Sequence, residues 1–174
     1  MDKLKRMNKL LELLEKSGGI IKTRKRFHKL VYLLQEAGED FDQDFYYHYF
    51  GVYSSTLAND LEFAVSLKLI SESPDESNLI KYELNPEKEK LPFEYDHIGN
   101  KGMLLIKKLV NKEPRLLEVL STIVYLSQNK YLGEDLVTKL NDLKGQHEAF
   151  FNDAFQLADE LFHIKADYKS LISA

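Results

Sequence analysis

The sequence predicts a mainly helical α+β chain, and three observations carry that prediction. Apolar residues recur at helical spacing along most of the 174 residues. That period gives way to strand-like stretches only at the aromatic run Phe45–Phe50 and between residues 69 and 84. The chain is also long enough to bury a core unaided, since a domain of this size buries roughly 70% of its unfolded surface.

Each element follows from its own residues. Leu4, Met7, Leu10, Leu11 and Leu14 lie on one helical face over residues 2–16, and Gly18-Gly19 ends that helix. Thr23 suits the N-cap of a second helix to about Ala37, with Phe27, Leu30, Val31 and Leu34 as its buried stripe. Phe45–Phe50 reads as a short strand ended by Gly51. Ser54 or Ser55 can cap a third helix to about Leu67, with Leu57, Leu61, Ala64 and Val65 inward. Leu69–Ser71 and Leu79–Leu84 then read as the two strands of a hairpin, joined by the turn-rich Ser73–Asn78. Helix, helix, short strand, helix and hairpin is the order of a winged helix-turn-helix.

Residues 1–90 are therefore read as a winged-helix-like region with a small β-wing, and 91–99 as a charged, proline-bearing connector. Residues 100–174 are read as a C-terminal helical bundle packed on the first region as one unit. Its helices are expected over about 100–111, from Pro114, over about 133–144, and after Gly145.

A family resemblance rests on Lys29-Leu-Val-Tyr-Leu-Leu-Gln-Glu-Ala-Gly38, Tyr49-Phe-Gly-Val-Tyr-Ser54, Leu57, Asp60-Leu61 and Leu69-Ile70. These resemble the YwgA family of bacterial and archaeal proteins, and Leu116–Leu126 with Val137, Leu140 and Leu143-Lys144 are similar to that family's C-terminal region. Residues 25–72 are also similar to the SocA-like Panacea antitoxin domain, whose members neutralise toxins. Both patterns usually read Gly-Pro-Tyr-Ser where this chain has Gly51-Val52-Tyr53-Ser54, so the turn lacks the constraint of proline. The resemblance implies no catalytic residue.

Composition narrows the function further. There is no cysteine, so disulfides, zinc ribbons and thiol nucleophiles are absent. No apolar run approaches the ~18 residues that span a bilayer, and the charged start Met-Asp-Lys-Leu-Lys-Arg is unlike a signal peptide, so a cytoplasmic location with no membrane partner is expected. The net charge of -4 is unevenly spread, with ten of the Lys and Arg residues in the first thirty positions. The five histidines, His28, His48, His97, His147 and His163, show no helical zinc spacing. Glu94, Asp96 and His97 read as a solvated turn rather than a metal site. A nucleophile elbow and a phosphate-cradling glycine loop are missing. No enzyme, metal or cofactor is expected.

Two binding surfaces remain. Lys22, Arg24, Lys25, Arg26 and Lys29 could contact nucleic-acid phosphates at the start of the second helix, or pair with acidic side chains of the chain itself. Tyr47, Tyr53, Ser55, Asn59, Glu62 and Phe63 could form a partner-binding face on the third helix and aromatic strand. That helix shows no Lys or Arg outward, and the hairpin tip carries Asp75-Glu76, whereas base-reading helices rely on cations and amides. The expected function is thus a regulatory or antitoxin-like module that binds a protein partner. The alternative is a DNA-binding transcriptional regulator using the basic run 22–29. A homodimer fits either reading.

Overall fold

The computed structural model describes residues 2–87, 94–166 and 168. It is mainly helical with small antiparallel sheets, and the chain divides into two compact units. Unit 1 comprises Met1–Tyr46 and Tyr53–Asn111, and unit 2 comprises Tyr47–Val52 and Lys112–Ala174.

In unit 1, α1 (Lys3–Lys16) starts where the Asp2 side chain accepts the Leu4 N–H at 3.1 Å. It ends where Gly18 and Gly19 both adopt φ +86°, which a side chain rarely tolerates. A strand not foreseen from the sequence follows, β1 (Ile20–Lys22). Thr23 caps α2 (Arg24–Glu36) through its hydroxyl, which accepts the Arg26 N–H. Ser54 caps α3 (Ser55–Ser66) in the same way, through the Leu57 N–H. The strands β4 (Ile70–Pro74) and β5 (Ile80–Leu84) close around a turn in which Asp75 Oδ1 accepts the N–H groups of Ser77 and Leu79. The sheet runs β1-β5-β4, all antiparallel, with Ile21 opposite Tyr82 and Tyr82 opposite Glu72. Phe27, Leu30, Leu34, Leu57 and Leu61 are all buried, and Tyr82 meets Phe27 edge-to-face at 5.5 Å.

The aromatic run departs from expectation. It does not stop at Gly51 but turns after β2 (Tyr46–His48) and returns as β3 (Gly51–Tyr53), forming a two-stranded sheet. Gly51 has φ +91°, so it serves the return of the chain instead of its termination.

Residues 94–99 and the helix that follows them fall within unit 1. The connector expected at 91–99 begins in residues 91–93, outside the described ones, and 94–99 form no helix or strand. The helix after it, α4 (Asn100–Leu109), belongs to unit 1, so the division falls after Asn111. Two carboxylates anchor α4 there. Glu12 accepts the Ile98 N–H at 3.3 Å and faces His97 Nδ1 at 3.3 Å, while Glu39 accepts the Gly99 N–H at 3.0 Å and pairs with Lys9. Gly102 permits this approach, because a Cβ there would lie 2.5 Å from Glu39 Oε1 and 2.6 Å from Ile98 Cγ2.

Unit 2 is built on α5 (Pro114–Gln128), α6 (Gly133–Lys144), a 3₁₀ turn (Gly145–Phe150) and α7 (Phe151–Phe162). Pro114 opens α5 as expected, with Glu113 accepting the Arg115 and Leu116 N–H groups. Leu117, Leu120, Ile123 and Val124 pack with Leu136, Leu140, Phe151 and Ala154 in its core. Within that core Lys144 is buried and salt-bridged to Glu118.

Candidate functional site

The basic run does not form a cationic surface of five residues. Lys22 and Lys25 are exposed. Arg24 instead reaches over the sheet: its Nε donates to the Tyr82 hydroxyl at 3.0 Å, and Nη2 lies 3.5 Å from Glu72. The hydrogen bond to Tyr82, then the charges of Glu72 and Glu62, raise its pKa further. Arg26 Nη1 donates to the Val110 carbonyl at 2.7 Å, and Lys29 is only 3% exposed. The run is answered largely inside unit 1, through β4, β5 and the end of α4.

The third helix presents its outer side as the residue spacing predicts. Ser55, Asn59, Glu62 and Ser66 are exposed, and Phe63 is half-buried beneath the Lys3 ammonium, 3.9 Å from the ring centroid. No Lys or Arg belongs to α3. At the hairpin turn Asp75 spends its side chain on backbone N–H groups, and Glu76 is exposed.

Two aromatic residues of the expected face have ring neighbours of their own. Tyr47 belongs to unit 2, where its hydroxyl shares a hydrogen bond with Thr122 Oγ1 at 3.3 Å and its ring tilts against Tyr125 at 5.1 Å. Tyr53 is half-buried and stacks on His28 at 4.6 Å. Both aromatic rings are half-buried and find neighbours within the fold.

What holds α3 in place was not read from the sequence. Arg6 on α1 grips Asp60 with two nitrogens, Nε at 2.8 Å and Nη2 at 3.2 Å, and reaches Asp42 at 3.7 Å. Gln43 Nε2 donates to the same carboxylate at 3.1 Å, while the Gln35 amide brackets the Gln43 backbone on both sides at 2.9 Å. Asp60 is 1% exposed, so this bidentate pairing answers a charge that would otherwise be costly to bury. A signal existed: Asp60 sits three residues after Leu57 and beside Leu61, on the apolar side of its helix. A second tether joins α2 to the start of α3. The Ser54 N–H donates to His28 Nδ1 at 3.2 Å, and burial, with Lys29 and Arg24 nearby, pushes the His28 pKa down to about 3.

Among the described residues no group of three or more His, Asp or Glu could hold a metal ion, and no helix is long and apolar enough to cross a membrane. In comparison with known proteins, the chain matches no family model, no curated protein and no solved structure.

Proposed function

We propose that this chain is a non-enzymatic, winged-helix-like regulatory or antitoxin-like module that binds a partner protein through the outer face of α3. The observation that carries the reading is the combination of a tethered helix with an outer face to which α3 itself contributes a carboxylate and no cation. Ser55, Asn59 and Glu62 are exposed on α3, while Arg6, Gln43 and His28 fix that helix from behind. A preorganised face whose helix offers amide, hydroxyl and carboxylate groups but no cation of its own suits a protein surface better than a phosphate backbone. The order α1-β1-α2-α3-β4-β5, with β5 central in its sheet, supports the winged-helix reading. The likeness of residues 25–72 to the SocA-like antitoxin domain, and of the longer pattern to the YwgA family, points the same way.

The test is capture from native lysate with nuclease present, comparing the natural chain with Asn59→Arg/Glu62→Arg. A partner protein retained by the first and lost by the second is the expected result. Retention by both, or loss on nuclease treatment alone, rejects the α3 reading. The DNA-binding alternative draws on Lys22 and Lys25, which stay exposed at the start of α2.

A further inference from the structure

One edge of the β1-β5-β4 sheet is open. The Thr23 N–H donates to the Ile80 carbonyl and the Leu84 N–H to that of Gly19, so Gly19, Ile21 and Thr23 are the residues bonded to β5. In an antiparallel ladder the residues between them turn their backbone groups the other way. The N–H and C=O groups of Ile20 and Lys22 therefore point off the far side of β1, where no described residue bonds them. Both residues are exposed, Ile20 by 38% in spite of its apolar side chain.

The opposite edge is blunted. The Asp75 N–H donates to Leu79 and the Asn85 N–H to Leu69, which leaves Ile70, Glu72 and Pro74 as the outward residues of β4. Proline has no N–H to offer, and the Glu72 carboxylate lies 3.5 Å from Arg24.

Charge on the outer face of β1 decides what fits beside it. Lys22 stands directly opposite Lys81, and Ile20 opposite Glu83. Like charges facing each other across strands are unfavourable. Lys81 is answered by Glu83 at 3.2 Å, but Lys22 has no ion pair among the described residues. An edge lysine bars indiscriminate strand pairing. It does not bar a strand that brings a carboxylate, which would give Lys22 the kind of partner Lys81 already has. A duplex phosphate backbone could also meet Lys22, but it carries no donors for the two outward carbonyls.

We propose that β1 accepts an extended, acidic segment of a partner protein as a fourth strand, bonded to the backbone of Ile20 and Lys22 with a carboxylate against the Lys22 ammonium. The inference does not rest on the α3 reading, since it uses another part of unit 1.

The experiment titrates an acetylated, amidated hexapeptide of alternating valine and glutamate into the full chain and follows the backbone amides by NMR. Saturation with a dissociation constant of about 1 mM is expected. The Ile20 and Lys22 amide protons should move downfield, while that of Ile21, which already faces Tyr82 of β5, stays in place. Methylating the glutamate nitrogens keeps the charge, removes the donors and should weaken binding about tenfold or more. Lys22→Glu should reject the acidic peptide and accept its valine–lysine counterpart. Its melting temperature should be unchanged or raised, because Lys81 then faces a carboxylate. Asn59→Arg/Glu62→Arg should bind the peptide as the natural chain does, which separates a failure here from a failure of the α3 reading. The proposal is overturned if the peptide fails to saturate by about 10 mM, or if the methylated peptide binds equally well. It is equally overturned if Lys22→Glu retains the acidic peptide, or if duplex DNA displaces the peptide completely, since Lys22 would then serve phosphate.

Discussion

His28 joins three elements through one neutral ring: it lies on α2, stacks on Tyr53 of β3 and accepts a hydrogen bond from Ser54 at the start of α3. Its pKa in the folded chain, about 3, is below the ordinary value of 6.5. The neutral ring therefore stabilises the fold fully above about pH 6.5, and that contribution is lost as the pH falls from there towards 3. Urea unfolding at a series of pH values should show stability declining over that window. His28→Asn keeps an acceptor near the Nδ1 position but cannot titrate there, so the decline should flatten. The lost ring should cost about 1–3 kcal/mol at pH 7. An unchanged pH profile in the variant would assign the acid sensitivity to other groups. Gly102 makes the opposite kind of demand, for absence of a side chain. Gly102→Ala forces a methyl group against Glu39 and Ile98 and should cost about 1–3 kcal/mol by thermal or urea unfolding.

At the scale of elements, α3 depends on a charge pair placed behind it. Arg6→Ala leaves Asp60 buried without its cation, and unfolding measurements should show a loss of about 3–5 kcal/mol. Arg6→Met with Asp60→Leu removes both charges and should recover most of that loss; if the double variant is as unstable as the single one, packing rather than charge is what matters. The elements themselves were largely legible in advance. Leu57, Leu61 and Ala64 announce the buried side of α3, and Ser73–Asn78 announces the turn between β4 and β5. The strand β1 was not legible, because three residues between Gly19 and a cap at Thr23 are too few to show a period. Its strand character comes from β5, sixty residues further on. The neighbours of Tyr47 were hidden for a similar reason: nothing near position 47 in the chain records that Thr122 and Tyr125 will meet it.

For the whole molecule, part of the uneven charge noted in the sequence is met locally, with Arg6, Lys9 and Arg24 each facing a carboxylate of unit 1. That limits what the basic run can do for nucleic acid. Lys22→Ala with Lys25→Ala should reduce the log–log salt slope of duplex DNA binding by at most about two, as each lost phosphate contact removes about 0.9. A loss of four or five, or nanomolar sequence-selective binding at physiological salt, would favour the transcriptional-regulator reading. The candidate face was partly legible: spacing alone placed Ser55, Asn59 and Glu62 outward, but neither the Arg6–Asp60 grip nor the open edge of β1 has a local sequence signature.

The division of the aromatic hairpin has a consequence for biosynthesis. Unit 2 takes Tyr47–Val52 from one part of the chain and everything else from beyond Asn111. During translation these six residues leave the ribosome about sixty residues before the first helix of their own unit, a delay of roughly 3–12 s at ordinary rates of elongation. No single cut can therefore yield two complete halves. A fragment ending at Asn111 would retain Tyr47 without Thr122 and Tyr125, while one starting at Lys112 would lack the hairpin tip.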